Sequence, residues 1–185
     1  MRPVEIVMRV AAAVLFAAGV VAQTPPHFSG RWTLAPEPPA AVTQGGGRVA
    51  PGTMGSGWGA DITLTQDATT LTVEYAQFAR GDMQPPMKLV YLLNGSETKN
   101  TINMGRGPQE QVSRTAWEGS KLVITTLHRF KTSQSGKTPR SGDMMTSKTT
   151  QVLSLESPMS LVVETTRSAV MGGQPSTTKT MYKKN

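Results

Sequence analysis

The sequence predicts an all-β fold, an antiparallel up-and-down β-barrel of about 8–10 strands. Helical periodicity is nearly absent, and apolar residues alternate with polar ones in short, Thr-rich runs between turn residues. Three times, a short polar turn precedes a pair of apolar residues that opens the next run. These pairs are Leu71 and Val73, Leu122 and Ile124, and Leu161 and Val163. Repeated tight hairpins indicate a meander, and a meander of this length protects its edges best by closing on itself.

The alternating runs predict ten strands and two unlike ends of the barrel. The strands are expected at 28–34, 58–66, 69–78, 87–93, 97–104, 110–117, 121–130, 147–155, 159–170 and 177–183. Every second connection is two to four residues long, and the others are longer. The longer ones are 35–57, 79–86, 105–109, 131–146 and 171–176. Because alternate connections of a meander lie at opposite ends, one end is predicted to be closed and the other to form an open mouth.

Residues 1–22 are predicted to be a removable signal peptide. A basic start is followed by an apolar stretch at 10–18, and Val20 and Ala22 supply small residues before a cleavage site near Ala22-Gln23. The stretch is too short to span a bilayer, and no later segment is longer and equally apolar. We therefore expect a periplasmic or extracellular protein with no transmembrane segment in its mature chain.

The rest of the chain is predicted to be a single domain. An N-terminal extension at 23–27 precedes a barrel domain at 28–185, in which 35–57 is expected to be a flexible Pro/Gly-rich loop that can lie over the mouth. The absence of Cys excludes disulfides and thiolate sites. The net charge is +7, but the basic residues are scattered, with no run longer than Lys183-Lys184, so nucleic-acid binding is not expected.

Several segments resemble a known family. Residues 28–32, Phe-Ser-Gly-Arg-Trp, resemble the G-x-W entry of lipocalins and other calycin-like barrels. The segments 91–97, 116–124 and 181–184 are similar to those of secreted bacterial lipocalin-like proteins, most of them functionally uncharacterised. Two other lipocalin signatures, a T-D-Y segment and an Arg late in the chain, have no evident counterpart. The resemblance implies mainly a barrel, in which Trp32 would pack across the closed end.

Strand alternation predicts a polar group of three side chains inside the barrel near its mouth. If the apolar pairs that open three of the strands face inward, so do Tyr75, His128 and Arg167. A buried Arg needs an anion, and His and Tyr are able to donate to the same one. The group therefore indicates a site for an acidic head, with the apolar part of the ligand deeper. The alternative is a bulge near Ala76 or Thr126 that turns Arg167 to solvent.

Methionine is frequent in or beside the longer connections. The residues are Met54, Met83, Met87, Met104, Met144, Met145 and Met171. Thioethers suit an adaptable apolar mouth, and they also bind Cu(I), although methionines in these positions need have no function. Only the pairs Met83-Met87 and Met144-Met145 approach the spacing of a copper site. No metal or cofactor is therefore predicted.

The predicted function is that of an exported, non-enzymatic binding protein for a small amphipathic or acidic ligand. The alternative is an envelope accessory or interaction module, with an envelope protein as its partner and a packed, ligand-free barrel. A third possibility, a metal or hydrolytic enzyme, requires an acidic neighbour for His128. No paired carboxylates or activated Ser appear at a spacing that supports hydrolysis, so an enzyme is not predicted.

Overall fold

The computed structural model describes residues 24–36, 55–75, 86–103, 108–131, 144–168 and 174–185. All secondary-structure elements within these ranges are β-strands. The described part of the chain contains no helix that is long and apolar enough to span a membrane. The strands are β1 (Gly30–Leu34), β2 (Asp61–Gln66), β3 (Thr70–Tyr75), β4 (Met87–Leu92), β5 (Thr98–Asn103), β6 (Pro108–Glu118), β7 (Lys121–Lys131), β8 (Met144–Ser157), β9 (Ser160–Arg167) and β10 (Ser176–Lys184). The predicted signal peptide lies outside the described residues.

The ten strands form one antiparallel sheet that curves into a barrel. Their order is β4-β3-β2-β1-β10-β9-β8-β7-β6-β5, so neighbours in the chain pair everywhere except between β4 and β5. The first strand pairs with the last, and Trp32 on β1 lies opposite Lys184 on β10. The predicted all-β, up-and-down barrel is therefore confirmed.

Side chains close the gap between β4 and β5. Asn100 accepts a hydrogen bond from the Val90 N–H at 2.9 Å, and its amide nitrogen donates to the Val90 carbonyl at 2.9 Å. The Leu92 N–H donates to Thr98 Oγ1 at 3.0 Å, and Thr115 Oγ1 donates to the Leu92 carbonyl. These side chains supply the donors and acceptors that a neighbouring strand would otherwise provide. They therefore satisfy the backbone edge of β4 without strand pairing.

The connections separate into two ends nearly as predicted. The turns 67–69, 93–97, 119–120 and 158–159 lie at one end of the barrel, and the strand ends that flank 35–60, 76–86, 104–107, 132–143 and 168–175 lie at the other. The prediction that every connection at the second end is longer is wrong for 104–107, which is one residue shorter than 93–97. The reason is that the ladder between β5 and β6 continues as far as the pair Asn103 and Pro108.

The end with the tight turns is filled by aromatic side chains. Trp32 is 1% exposed, and its indole N–H donates to the Phe28 carbonyl at 2.9 Å. The Phe28 ring stacks on Trp117 near the end of β6, with ring centroids 6.0 Å apart and planes 5° from parallel. Each such buried side chain contributes about 1.5–3 kcal/mol of hydrophobic free energy. This end of the barrel is therefore a packed core.

Strand β2 begins at Asp61, so the prediction of a strand from Trp58 is wrong. Gly57 and Gly59 have φ angles of 88° and 84°, in the left-handed region that strands do not use. The chain therefore turns on both sides of Trp58, whose side chain is buried in the core at 2% exposure. Most of the predicted loop 35–57 falls outside the described residues, but Ser56 near its end is buried, at 2% exposure.

Candidate ligand-binding site

The structure places Tyr75, His128 and Arg167 on the inner face of the barrel. Tyr75 packs against the hydrophobic core at the end of β3, and His128 and Arg167 follow inward rows on β7 and β9. The alternative of a bulge near Thr126 is wrong, because β7 pairs with β8 in one unbroken register from Leu122 to Lys131. The other suggested bulge position, Ala76, lies outside the described residues.

Arg167 binds a segment of the chain itself. We call residues 55–58 the inner segment. Arg167 Nη2 donates to the Gly55 carbonyl at 2.9 Å, and Thr178 Oγ1 donates to the same oxygen at 3.2 Å. The side-chain amide of Gln151 donates to the next carbonyl, that of Ser56, at 2.6 Å. Side chains from β8, β9 and β10 therefore hold two successive backbone oxygens inside the barrel.

Tyr182 anchors the other side of the inner segment. Its hydroxyl donates to the Gly59 carbonyl at 2.7 Å and accepts a hydrogen bond from the Ser56 hydroxyl. The Trp58 N–H in turn donates to Ser56 Oγ at 3.1 Å. Burial raises the pKa of Tyr182 to about 12, so this phenol stays neutral at physiological pH and keeps its proton for the Gly59 carbonyl.

Aromatic side chains line the interior near β3 and β4. Trp58 and Tyr91 are both buried, and burial raises the pKa of Tyr91 far above its ordinary value, against the opposing effect of a hydrogen bond with the Trp58 side chain. Burial also raises the pKa of Tyr75. Tyr75 lies close enough to Tyr91 for its charge to raise the pKa of Tyr91 further. This wall therefore carries neutral hydroxyl groups on apolar rings.

No carboxylate pairs with Arg167 among the described residues. The four ion pairs within these ranges are Lys88 with Glu74, Lys99 with Glu110, Arg114 with Glu97, and Lys179 with Glu156, all with exposed side chains. Burial lowers the pKa of Arg167. The pKa of His128 is lowered mainly by burial and, to a smaller extent, by the positive charge of Arg167. A half-buried positive charge bound to a neutral carbonyl is poorly compensated, so an anion beside it would be strongly stabilised.

The lowered pKa of His128 predicts that acid weakens the fold. Its ordinary pKa is 6.5, so the unfolded chain binds a proton more readily than the folded one, and stability falls as the pH drops below about 6.5. We expect a lower urea midpoint at pH 5 than at pH 7.5, and a smaller difference for His128→Gln. Met159→Gln, which changes an exposed residue without a titratable group, is the control and should retain the full difference. An unchanged difference for His128→Gln would contradict this assignment.

Sequence reasoning missed Gln151 and Thr178 as members of the site. Alternation along β8 and β10 places both side chains inward, so their positions were predictable. The inner segment was also missed, although Trp58 between two glycines is unusual for a strand. The alternation of side chains along a strand predicts which of them face inward, but it does not predict the hydrogen-bond partner of each one.

Three of the methionines that the sequence singles out lie within the described residues. Met87 is the first residue of β4 and packs against the core, and Met144 and Met145 begin β8. Met54, Met83, Met104 and Met171 lie outside the described residues. Within the described ranges no group of three or more His, Asp or Glu could hold a metal ion.

Comparison of the chain with models of known families, with curated proteins and with solved structures finds no significant match. The resemblance to lipocalins therefore stays a prediction. The chemistry of the barrel interior is the remaining guide to function.

Proposed function

We propose that this chain is an exported, non-enzymatic binding protein that holds a small amphipathic molecule with an acidic head inside its barrel. The main support is Arg167, a half-buried cation whose described partner is a neutral carbonyl and which lies close to His128. A carboxylate would neutralise this charge and accept hydrogen bonds from both residues. The ligand occupies the half of the barrel that lies toward the longer connections.

The interior changes from apolar to polar along the barrel. Toward the tight turns, the inward residues of β7, β8 and β9 are Leu122, Ile124, Leu153, Leu161 and Val163, all buried. Toward the longer connections they include Thr126, His128, Gln151, Thr165 and Arg167. Because the apolar half is filled by side chains, the apolar part of a ligand fits better against the half-buried pair Tyr75 and Met87 across the barrel.

Removal of the Arg167 charge is the direct test. We expect Arg167→Gln to weaken the binding of decanoate about 30-fold, because a hydrogen bond to a charged group contributes roughly 1.5–3 kcal/mol. Isothermal titration calorimetry would measure the dissociation constants. Arg114→Gln is the matched control, since Arg114 carries the same charge on the exposed outer face and pairs with Glu97.

Two outcomes would contradict the proposal. One is equal loss of affinity for Arg167→Gln and Arg114→Gln, which would show only an effect of net charge. The other is binding of decyltrimethylammonium as strong as that of decanoate, since the site should reject a cation.

A packed barrel that serves as an envelope interaction module is the second candidate. The observation that favours it is the inner segment, which already occupies the hydrogen-bond donors of Gln151, Arg167 and Thr178. Native mass spectrometry of the protein purified from cells that make it separates the two. A co-purified small acid supports the binding protein, and repeated recovery of empty protein supports the module.

A further inference from the structure

We infer that the inner segment is an internal ligand: the carbonyl oxygens of Gly55 and Ser56 occupy a carboxylate-binding donor set made by Gln151, Arg167 and Thr178. A carboxylate head displaces these two oxygens when the barrel takes up its ligand. This inference rests on the proposed function and assigns the ligand class, the binding atoms and the group that leaves.

The donors are better suited to a carboxylate than to the groups they hold. Arg167, Thr178 and Gln151 direct three donors at two neutral oxygens. Hydrogen bonds to an ionised acceptor are roughly twice as strong as bonds to a neutral one. The planar guanidinium also matches a carboxylate through two parallel N–H groups, whereas Gly55 engages only one of its nitrogens. An incoming carboxylate therefore gains more than the departing carbonyls lose.

Thr165 provides an independent indication of an incomplete site. It is fully buried, and its hydroxyl has no hydrogen-bond partner among the residues that the structure describes. Thr165 lies directly opposite Gln151 on one side and Thr178 on the other, the two residues that hold the inner segment. A buried hydroxyl without a partner is unfavourable, so an oxygen that reaches this position is stabilised. A carboxylate oxygen placed beneath the inner segment would accept that hydrogen bond.

The glycines of the inner segment allow its backbone to approach the donors. A Cβ atom at residue 55 would lie 2.6 Å from Thr180 Oγ1, a distance that side-chain carbons do not tolerate. A Cβ at residue 57 would lie 3.3 Å from Arg167 Nη2, and the φ of Gly57 is +88°. Because only glycine fits at residue 55 without displacement, an added methyl group selectively weakens the internal ligand.

Gly55→Ala should therefore tighten the binding of decanoate while it lowers stability. The added methyl group moves the inner segment away from Thr180, and a weaker internal competitor leaves more of the protein ready to bind. We expect the dissociation constant measured by calorimetry to fall about tenfold, as it does when the competent fraction rises tenfold. Unchanged or weaker binding by Gly55→Ala would overturn the inference.

Gly119→Ala is the matched control. Gly119 has a φ of +60° in the tight turn between β6 and β7, and among the described residues no atom beyond its two chain neighbours lies within 4 Å of its added methyl group. It should lose stability through backbone strain and retain the wild-type dissociation constant. Equal tightening by both variants would overturn the inference, because it would reflect general loosening of the fold.

Nuclear magnetic resonance separates failure of this inference from failure of the proposed function. Decanoate should shift the backbone amide signals of Ser56 and Gly57 and the side-chain amide signal of Gln151. If decanoate binds in a way that depends on Arg167 but leaves these signals in place, the inference is wrong and the proposed function stands. If neither the wild type nor Gly55→Ala binds decanoate, both are wrong.

Discussion

Replacement of Trp58 by alanine is expected to lower the free energy of unfolding by about 3–5 kcal/mol, the range for a large buried aromatic residue. Trp58 is almost completely buried and lies against Tyr91, inside the barrel rather than in its wall. Its removal leaves a cavity that the surrounding strands are too rigid to fill. Alanine keeps the backbone N–H that donates to Ser56 Oγ, but loss of the buried ring removes the packing that holds this end of the inner segment in place.

Urea unfolding would measure this loss, with Trp117→Ala as the matched control. Trp117 is half-buried and stacks on Phe28 at the opposite end of the barrel, so its replacement should cost less. Only Trp58→Ala should change the environment of the Gln151 side-chain amide. A loss below about 1 kcal/mol for Trp58→Ala would mean that this ring is not inside the barrel.

Replacement of Asn100 by alanine is expected to cost about 2–4 kcal/mol. The side-chain amide bonds both the N–H and the carbonyl of Val90, and its loss leaves two partly buried backbone groups without partners. Each such group costs about 1–3 kcal/mol. Asn100 is itself buried in the structure, so water is poorly placed to substitute for it.

Unfolding in urea and hydrogen exchange test the role of Asn100. The Val90 amide should exchange faster in Asn100→Ala than in the wild type. Asn94→Ala is the control, since Asn94 is exposed and its side chain accepts one hydrogen bond from Ser96 in a turn. Its replacement should cost about 0.5–1 kcal/mol. Equal costs for the two alanine variants would contradict side-chain closure between β4 and β5.

The strands were predictable because their signals are local. A period of two residues reports which side chains face the core, and it remains visible wherever a buried row such as Leu71 and Val73 alternates with polar residues. Glycines mark the hairpins for a similar reason. Gly95 and Gly119 have φ angles of 80° and 60°, which other residues adopt at a cost.

The side-chain closure between β4 and β5 and the position of the inner segment were not predictable, because both depend on contacts between residues far apart in the sequence. Asn100 lies in an alternating strand and resembles an ordinary polar position until the barrel curves β5 toward β4. Trp58 directly precedes the alternating run of β2, and only contacts with residues such as Tyr182, more than 120 positions away, turn the segment inward. Arg167 was correctly placed inside, but its bond to Gly55 joins residues 112 positions apart.

Carbon-13 resonance of carboxyl-labelled decanoate would test most directly whether Arg167 receives an acidic head group inside the barrel. A bound carboxylate signal should appear with the wild type and with Arg114→Gln, and it should disappear with Arg167→Gln. A bound signal that persists unchanged in Arg167→Gln, or no bound signal with the wild type, would contradict the account.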